Sequence, residues 1–200
     1  MIDNFNKIFD IIDIDKYTNH FMLLTIVSDN KDIETISSFH NAYHVPKFHR
    51  VYYITSKQQL IDLKDEIIWL CEKHNASAYI NLSIKSFKKL QKDLIIGFIN
   101  SELSQNNNPI KKTDSLARTL DPIKKCWYIN IENLDQYKDV ENLIKKLIKG
   151  SNKKLDIIAT IPFKSGLQII TPPFNIKKFS NKFNSNMIYE NPGALLYCLE

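Results

Sequence analysis

Glycine is scarce in this chain: four in 200 residues, Gly97, Gly150, Gly166 and Gly193. Loops that cradle phosphates with backbone amides need several glycines within a few residues, so neither a P-loop nor a dinucleotide fingerprint is present. Cysteine is as rare. Cys71, Cys126 and Cys198 stand apart in apolar stretches with no CxxC spacing, which excludes a zinc ribbon or a disulfide framework and reads as three buried thiols. No run of about 18 apolar residues exists, so no transmembrane helix is expected. Met1-Ile2-Asp3-Asn4-Phe5 also lacks the basic start and apolar core of a secretory signal, and the chain is expected in the cytoplasm with no membrane partner. Nucleophile motifs are missing too, since Gly166 alone does not make G-x-S-x-G. His40 and His44 have the i, i+4 spacing of helix-borne metal ligands, but no H-E-x-x-H glutamate accompanies them and Pro46 interrupts the segment. Neither a metal nor a cofactor is expected.

What the chain does have is apolar and, in its second half, basic. Hydrophobic residues make up 44% of the sequence, enough at this length for one good core or two small ones. Residues 1–100 carry 12 basic and 12 acidic side chains whereas residues 101–200 carry 15 and 10, so the whole formal +5 lies in the second half. A partner bearing phosphates would meet that half first.

Periodicity divides the chain into segments. Phe5, Ile8, Phe9, Ile11 and Ile12 recur near helical spacing, the apolar run Phe21 to Val27 reads as a strand, and residues 28–48 read as a loop. Val51-Tyr52-Tyr53-Ile54-Thr55 is β-branched and aromatic. Ser56 with Gln59 makes a capping box, opening a helix over 57–73 with Leu60, Leu63, Ile67, Leu70 and Cys71 on its apolar face and Asn75 at its end. A strand at 78–82 and a helix to about 103, marked by Phe87, Leu90, Leu94, Phe98 and Ile99, complete a β-α-β-α unit. Its crossover predicts parallel strands if both share a sheet. Ser104-Gln105-Asn106-Asn107-Asn108-Pro109 reads as the start of a linker. Beyond it the pattern gives a strand at 126–132, a helix at 136–149 stopped by Gly150, strands at 155–161 and 166–171, a short helix at 175–184, and short strands at 186–189 and 194–198. The order β-α-β-β is half of a ferredoxin-like or RNA-recognition-motif-like sheet. The expected class is therefore α/β, with α+β the alternative. The expected divisions are 1–48, a β-α-β-α unit at 49–103, a linker at 104–125 and a β-α-β-β unit with tail at 126–200, all within one compact whole.

Trp127-Tyr128-Ile129-Asn130-Ile131-Glu132 is an apolar strand that projects residues 130 and 132 from one face, and Ser165-Gly166-Leu167-Gln168 follows after a helix. This arrangement resembles the core of archaeo-eukaryotic primases and primase-polymerases, in which an Asp-x-Asp strand holds divalent metal and a strand after a Ser-Gly or Asn-Gly turn presents a His to the nucleotide phosphates. The chain is also similar to uncharacterised proteins of gut Bacteroidetes and their phages, through Val51 to Cys71, Asn75 to Leu82, Trp127 to Glu132, Pro162 to Ile170 and the ending Asn191-Pro192-Gly193-Ala194-Leu195-Leu196-Tyr197. The resemblance implies a degenerate site made of Asn130, Glu132, Ser165, Gln168 and Ser77, the last standing where an Arg is expected. A neutral Asn cannot offset the charge of Mg²⁺, Gln168 never carries the charge of a His, and Ser77 cannot make the bidentate phosphate contact of Arg. No catalytic residue is therefore expected.

Lys145, Lys146, Lys149, Lys153 and Lys154, with Lys177, Lys178 and Lys182, flank the second unit. They are candidates to grip a nucleic-acid backbone, with Trp127 or Tyr128 offering a stacking face. Three readings stay open: a non-catalytic primase-like module of phage or mobile-element origin binding single-stranded nucleic acid or nucleotide; a phage-associated virion or interaction protein, in host cytoplasm or virion, that keeps the fold as a scaffold for a protein partner; and a metal-dependent nucleotidyltransferase.

Overall fold

The computed structural model describes residues 1–28, 49–102, 109–149, 156–164 and 166–199 as an α/β protein built on two antiparallel sheets. Residues up to 102 supply β1 (Ile2–Asp3), α1 (Phe5–Ile11), β2 (His20–Ser28), β3 (His49–Ile54), α2 (Lys57–Asp62), α3 (Lys64–His74), β4 (Ala76–Ser86) and α4 (Phe87–Glu102). The rest supply α5 (Pro109–Thr119), β5 (Trp127–Ile131), α6 (Tyr137–Lys149), β6 (Ala159–Phe163), β7 (Gly166–Thr171), α7 (Ile176–Ser180), β8 (Ile188–Tyr189) and β9 (Ala194–Cys198).

The first sheet runs β1-β9-β4-β2-β3. Its strand β2 is buried on both faces, which is why it reads as an unbroken apolar run rather than an alternation. Met22, Leu24 and Ile26 join the core with Phe5 and Ile8 of α1, Leu60 of α2 and Ile67, Leu70 and Cys71 of α3. Phe21 and Leu23 point the other way and meet Leu90 of α4 and Ala117 of α5. β3 and β4 run in the same direction, as the crossover predicts, but β2 lies between them and pairs antiparallel with each. The reason is hydrogen bonding: inserting β2 satisfies both inner edges.

The helix expected over 57–73 is two helices that meet at Leu63. Ser56 Oγ accepts the Gln59 N–H at 3.1 Å, and Gln59 Oε1 accepts the Thr55 N–H at 2.7 Å, so the capping box closes one residue earlier than the usual pattern. Asn75 ends α3 in the left-handed region at φ 45°, which Asn tolerates better than most residues.

The second sheet runs β6-β7-β5-β8, every neighbour antiparallel. β5 and β6, joined by α6, therefore run the same way with β7 between them, and α7 leads to β8 on the other side of β5. This is the complete strand order of a ferredoxin-like β-α-β-β-α-β sheet, of which the sequence shows only the first half. α6 lays Val140, Ile144 and Ile148 on Ile129, Ile131 and Ile169. The opposite face of the sheet presents Tyr128, Ile161 and Ile170 to the core of the first sheet.

Three expected ranges are corrected. Within 104–125, residues 109–119 form α5, with Pro109 at its first position, where a missing N–H costs nothing; Ala117 and Leu120 are buried because their spacing gives the helix an apolar face against Phe21 and Leu23. β9 returns to the first sheet between β1 and β4, and the expected strand at 155–161 is displaced to β6, while the helix at 175–184 shortens to α7. Gly150 and residues 29–48, with His40 and His44, on which the expected helix stop and the expected loop fall, lie outside the described residues. No helix among the described residues is long and apolar enough to cross a membrane.

Candidate nucleic-acid interface

Asn130 and Gln168 face each other across β5 and β7 in direct register, because the alternation of a strand puts both on the face turned to the first sheet. Gln168 Nε2 donates to Asn130 Oδ1 at 2.8 Å and to the Gly193 carbonyl at 3.3 Å, while its Oε1 accepts the Leu195 N–H at 3.0 Å. At 1% exposure Gln168 is a core clip between the sheets, neither a surface amide nor a group free to meet a phosphate. Glu132, just past the end of β5, is exposed. Ser77 lies on β4 of the other sheet, buried opposite Val27. Ser165 lies outside the described residues. The structure thus brings together two of the five expected site residues and places Ser77 and Glu132 elsewhere.

The same region joins the two sheets. Tyr128 Oη accepts the Leu82 N–H at 2.6 Å, and Ser83 Oγ accepts the Cys126 N–H at 3.0 Å. Burial raises the Tyr128 hydroxyl well above its ordinary pKa. Tyr128 and Trp127 are both buried, so neither offers the stacking face that the sequence proposes: each faces a packed layer, Tyr128 the first sheet and Trp127 the ring of Phe174 at 5.1 Å. Cys71, Cys126 and Cys198 are buried free thiols, and burial raises Cys126 to about 11. Among the described residues no group of three His, Cys, Asp or Glu could hold a metal ion.

The lysines separate into two kinds. Lys146 and Lys182 line one open groove between α6 and the turn after α7, together with Asp139, Asn142, Leu143 and Phe183. Lys145 points elsewhere and donates to Glu141 at 2.8 Å, a contact that raises its pKa. Lys177 and Lys178 are exposed on α7, Lys149 ends α6, and Lys153 and Lys154 lie outside the described residues. Phe183 was not apparent from the sequence as a groove residue. It ends an aromatic ladder in which Trp127, Phe174, Phe179 and Phe183 stand 5.1, 5.5 and 5.6 Å apart in turn, so its ring is held from behind while it lines the groove. The i, i+4 spacing of Phe179 and Phe183 is the signal that could have found it. A groove with two ammonium groups and one anchored ring can hold an anionic, planar ligand. In comparison with known proteins, the chain matches no family model, no curated protein and no solved structure.

Proposed function

We propose that this protein is a non-catalytic, primase-like module that binds single-stranded nucleic acid along the α6–α7 groove. The observation that carries the reading is the placement of Lys146 and Lys182 beside the ring of Phe183 in one open groove. Backbone phosphates need cations that are not already engaged, and bases need an aromatic face held in place. The absence of catalysis rests on Asn130 and Gln168, whose side chains are committed to each other and to β9, leaving no carboxylate pair for metal on β5. The primase likeness rests on the sequence resemblance and agrees with the strand order of the second sheet.

A scaffold role is the second reading, favoured by one observation: Ile95, Ile96 and Ile99 of α4 are 60%, 48% and 62% exposed, an apolar stripe that a protein partner could cover. Binding of a labelled oligonucleotide as a function of salt separates the two. The nucleic-acid reading expects weak, sequence-tolerant affinity that falls with salt at a slope of about −0.7 per phosphate contact. Lys146→Glu with Lys182→Glu should reduce affinity and slope together, whereas Lys88→Glu with Lys92→Glu on α4 should change little. Equal losses in both pairs would reduce the attraction to bulk charge, and no binding at low salt would favour the scaffold. In the same samples Mg²⁺ or Mn²⁺ should give no nucleotide incorporation; product that disappears in Glu132→Ala would restore the enzyme reading.

A further inference from the structure

Asn19, in the left-handed region at φ 58°, turns the chain from a short 3-10 helix at Ile14–Lys16 into β2, and its carbonyl accepts the Phe87 N–H at 3.1 Å. This backbone contact sets the start of α4 beside the start of β2. Asp15, Tyr17, His20 and Phe87 are brought to one open cleft of about 440 Å³, on elements apart from the α6–α7 groove. Three of these residues carry rings that the fold holds in place. Tyr17 is half-buried against the core of the first sheet, and its ring meets that of His20 nearly edge to face, with centroids 6.0 Å apart and planes at 67°. His20 Nδ1 donates to the Thr18 carbonyl, which fixes the orientation of the imidazole. Phe87 is braced by the rings of Phe21 at 4.6 Å and Tyr53 at 6.3 Å.

The charge at the cleft is one-sided. No lysine or arginine is among the described residues that line it. Asp13 is neutralised by Lys124 at 2.6 Å, whereas the Asp15 carboxylate has no ion pair among the described residues. It accepts the Lys57 backbone N–H at 3.1 Å through Oδ1, which leaves Oδ2 for a ligand. Aromatic faces carry the negative end of the ring quadrupole, so rings and carboxylate together attract a cation. Hard metal ions need several oxygen ligands, and the cleft offers one carboxylate; a phosphate needs cationic donors, which the wall lacks. A cation with an apolar skin satisfies both the rings and the charge.

We propose that this cleft binds an aliphatic ammonium group, with the rings of Tyr17, His20 and Phe87 as its walls and Asp15 as its counter-charge. The site does not rest on the nucleic-acid reading. A free quaternary amine and a methylated lysine side chain present the same head group, and the two sources are separated by the probes below.

Nuclear magnetic resonance titration of the whole chain with choline chloride, and separately with a short peptide carrying trimethyllysine, against sodium chloride at matched ionic strength, tests the assignment. Saturable shifts of the Tyr17, His20 and Phe87 ring resonances are expected with at least one of the two probes. Saturation at lower concentration by choline identifies a small-molecule site, and saturation at lower concentration by the peptide identifies a site for a modified side chain. The uncharged isostere of choline, in which a tert-butyl group replaces the trimethylammonium, should bind about five-fold more weakly than choline. Tyr17→Leu should weaken binding about five-fold and Asp15→Asn about three-fold. Trp69→Leu should leave it unchanged, since that ring is exposed on α3 and already has the Lys73 ammonium over it at 4.4 Å. If Tyr17→Leu fails to fold, Asp15→Asn and the uncharged isostere decide. Equal binding of the isostere, full affinity in Asp15→Asn, an equal loss in Trp69→Leu, or no saturable shift with either probe would overturn the proposal.

Discussion

Gln168 ties the second sheet to β9 with a single buried polar side chain. It spends both of its amide ends inside the core, on Asn130, Gly193 and Leu195, and a side chain of another shape cannot replace all three contacts. Gln168→Leu leaves the Leu195 N–H and the Gly193 carbonyl buried without this partner, so stability should fall by about 1–3 kcal/mol, read from the urea midpoint. A loss under about 0.5 kcal/mol would mean that water reaches the site. Lys85 gives the residue scale its pH signature. Its pKa, about 8 in the fold, lies below the ordinary lysine value that the unfolded chain keeps, so the unfolded state holds more protons once the pH exceeds about 8. Stability attributable to Lys85 therefore rises from about pH 8 toward the ordinary lysine pKa. Comparing wild type with Lys85→Met across that range should show the wild type gaining relative to the variant. Tyr197, raised to about 12 by burial and its hydrogen bond to Glu72, acts in the opposite sense above about pH 10 in both proteins and cancels in the comparison.

At the scale of elements, α6 has two faces with separate tasks. Val140, Ile144 and Ile148 are 0%, 0% and 1% exposed against the sheet, while Lys146 and Asn142 face the groove. The faces are separable because residues three or four apart share one side of a helix. Ile144→Ala removes a fully buried side chain and should cost about 2–5 kcal/mol, measured by chemical denaturation. At temperatures where this variant remains folded, oligonucleotide affinity should be unchanged within error. A large loss of affinity in folded protein would mean that the groove depends on close positioning of α6. Gly166 fixes the other side of this element pair. A Cβ there would stand 2.0 Å from the Ile131 carbonyl oxygen, so the turn into β7 can lie against β5 only because the residue is glycine.

The whole molecule is held as one unit by its chain ends and by polar contacts between the sheets. β1 and β9 sit together in the first sheet, and Asn4 Nδ2 donates both to the Leu195 carbonyl at 3.0 Å and to the Pro162 carbonyl of β6 at 2.9 Å. Tyr128 reaches from the second sheet to the backbone of β4. With such cross-links the two sheets should unfold together, and tryptophan fluorescence and far-ultraviolet circular dichroism should give coincident transitions. Tyr128→Phe removes the acceptor of the buried Leu82 N–H and should lower the common midpoint by the equivalent of about 1–3 kcal/mol. Transitions that separate in the variant would locate the coupling in that single contact; unchanged coincidence would spread it over the interface.

Much of the local structure is legible in the sequence because it depends on neighbours in the chain. The β2 apolar run, the cap at Ser56, the left-handed stop at Asn75 and the amphipathic face of α6 all follow from side-chain periodicity and backbone preference. α5 is hidden by its polar composition, since a short helix whose buried contacts come from Ala117, and from Leu120 just beyond its end, resembles a linker until its partner, Phe21, is in place. The candidate site divides the same way. The alternation in β5 and β7 puts Asn130 and Gln168 on one face, but only the tertiary structure turns that face toward β9 and makes Gln168 a buried clip. Pairing of β2 between β3 and β4, return of β9 to the first sheet, the meeting of Lys146, Lys182 and Phe183, and the position of Lys85 under α5 all join residues far apart in sequence. Such contacts depend on which surfaces bury each other and which edges find hydrogen-bond partners, so the sequence determined the segments and the fold decided what they face.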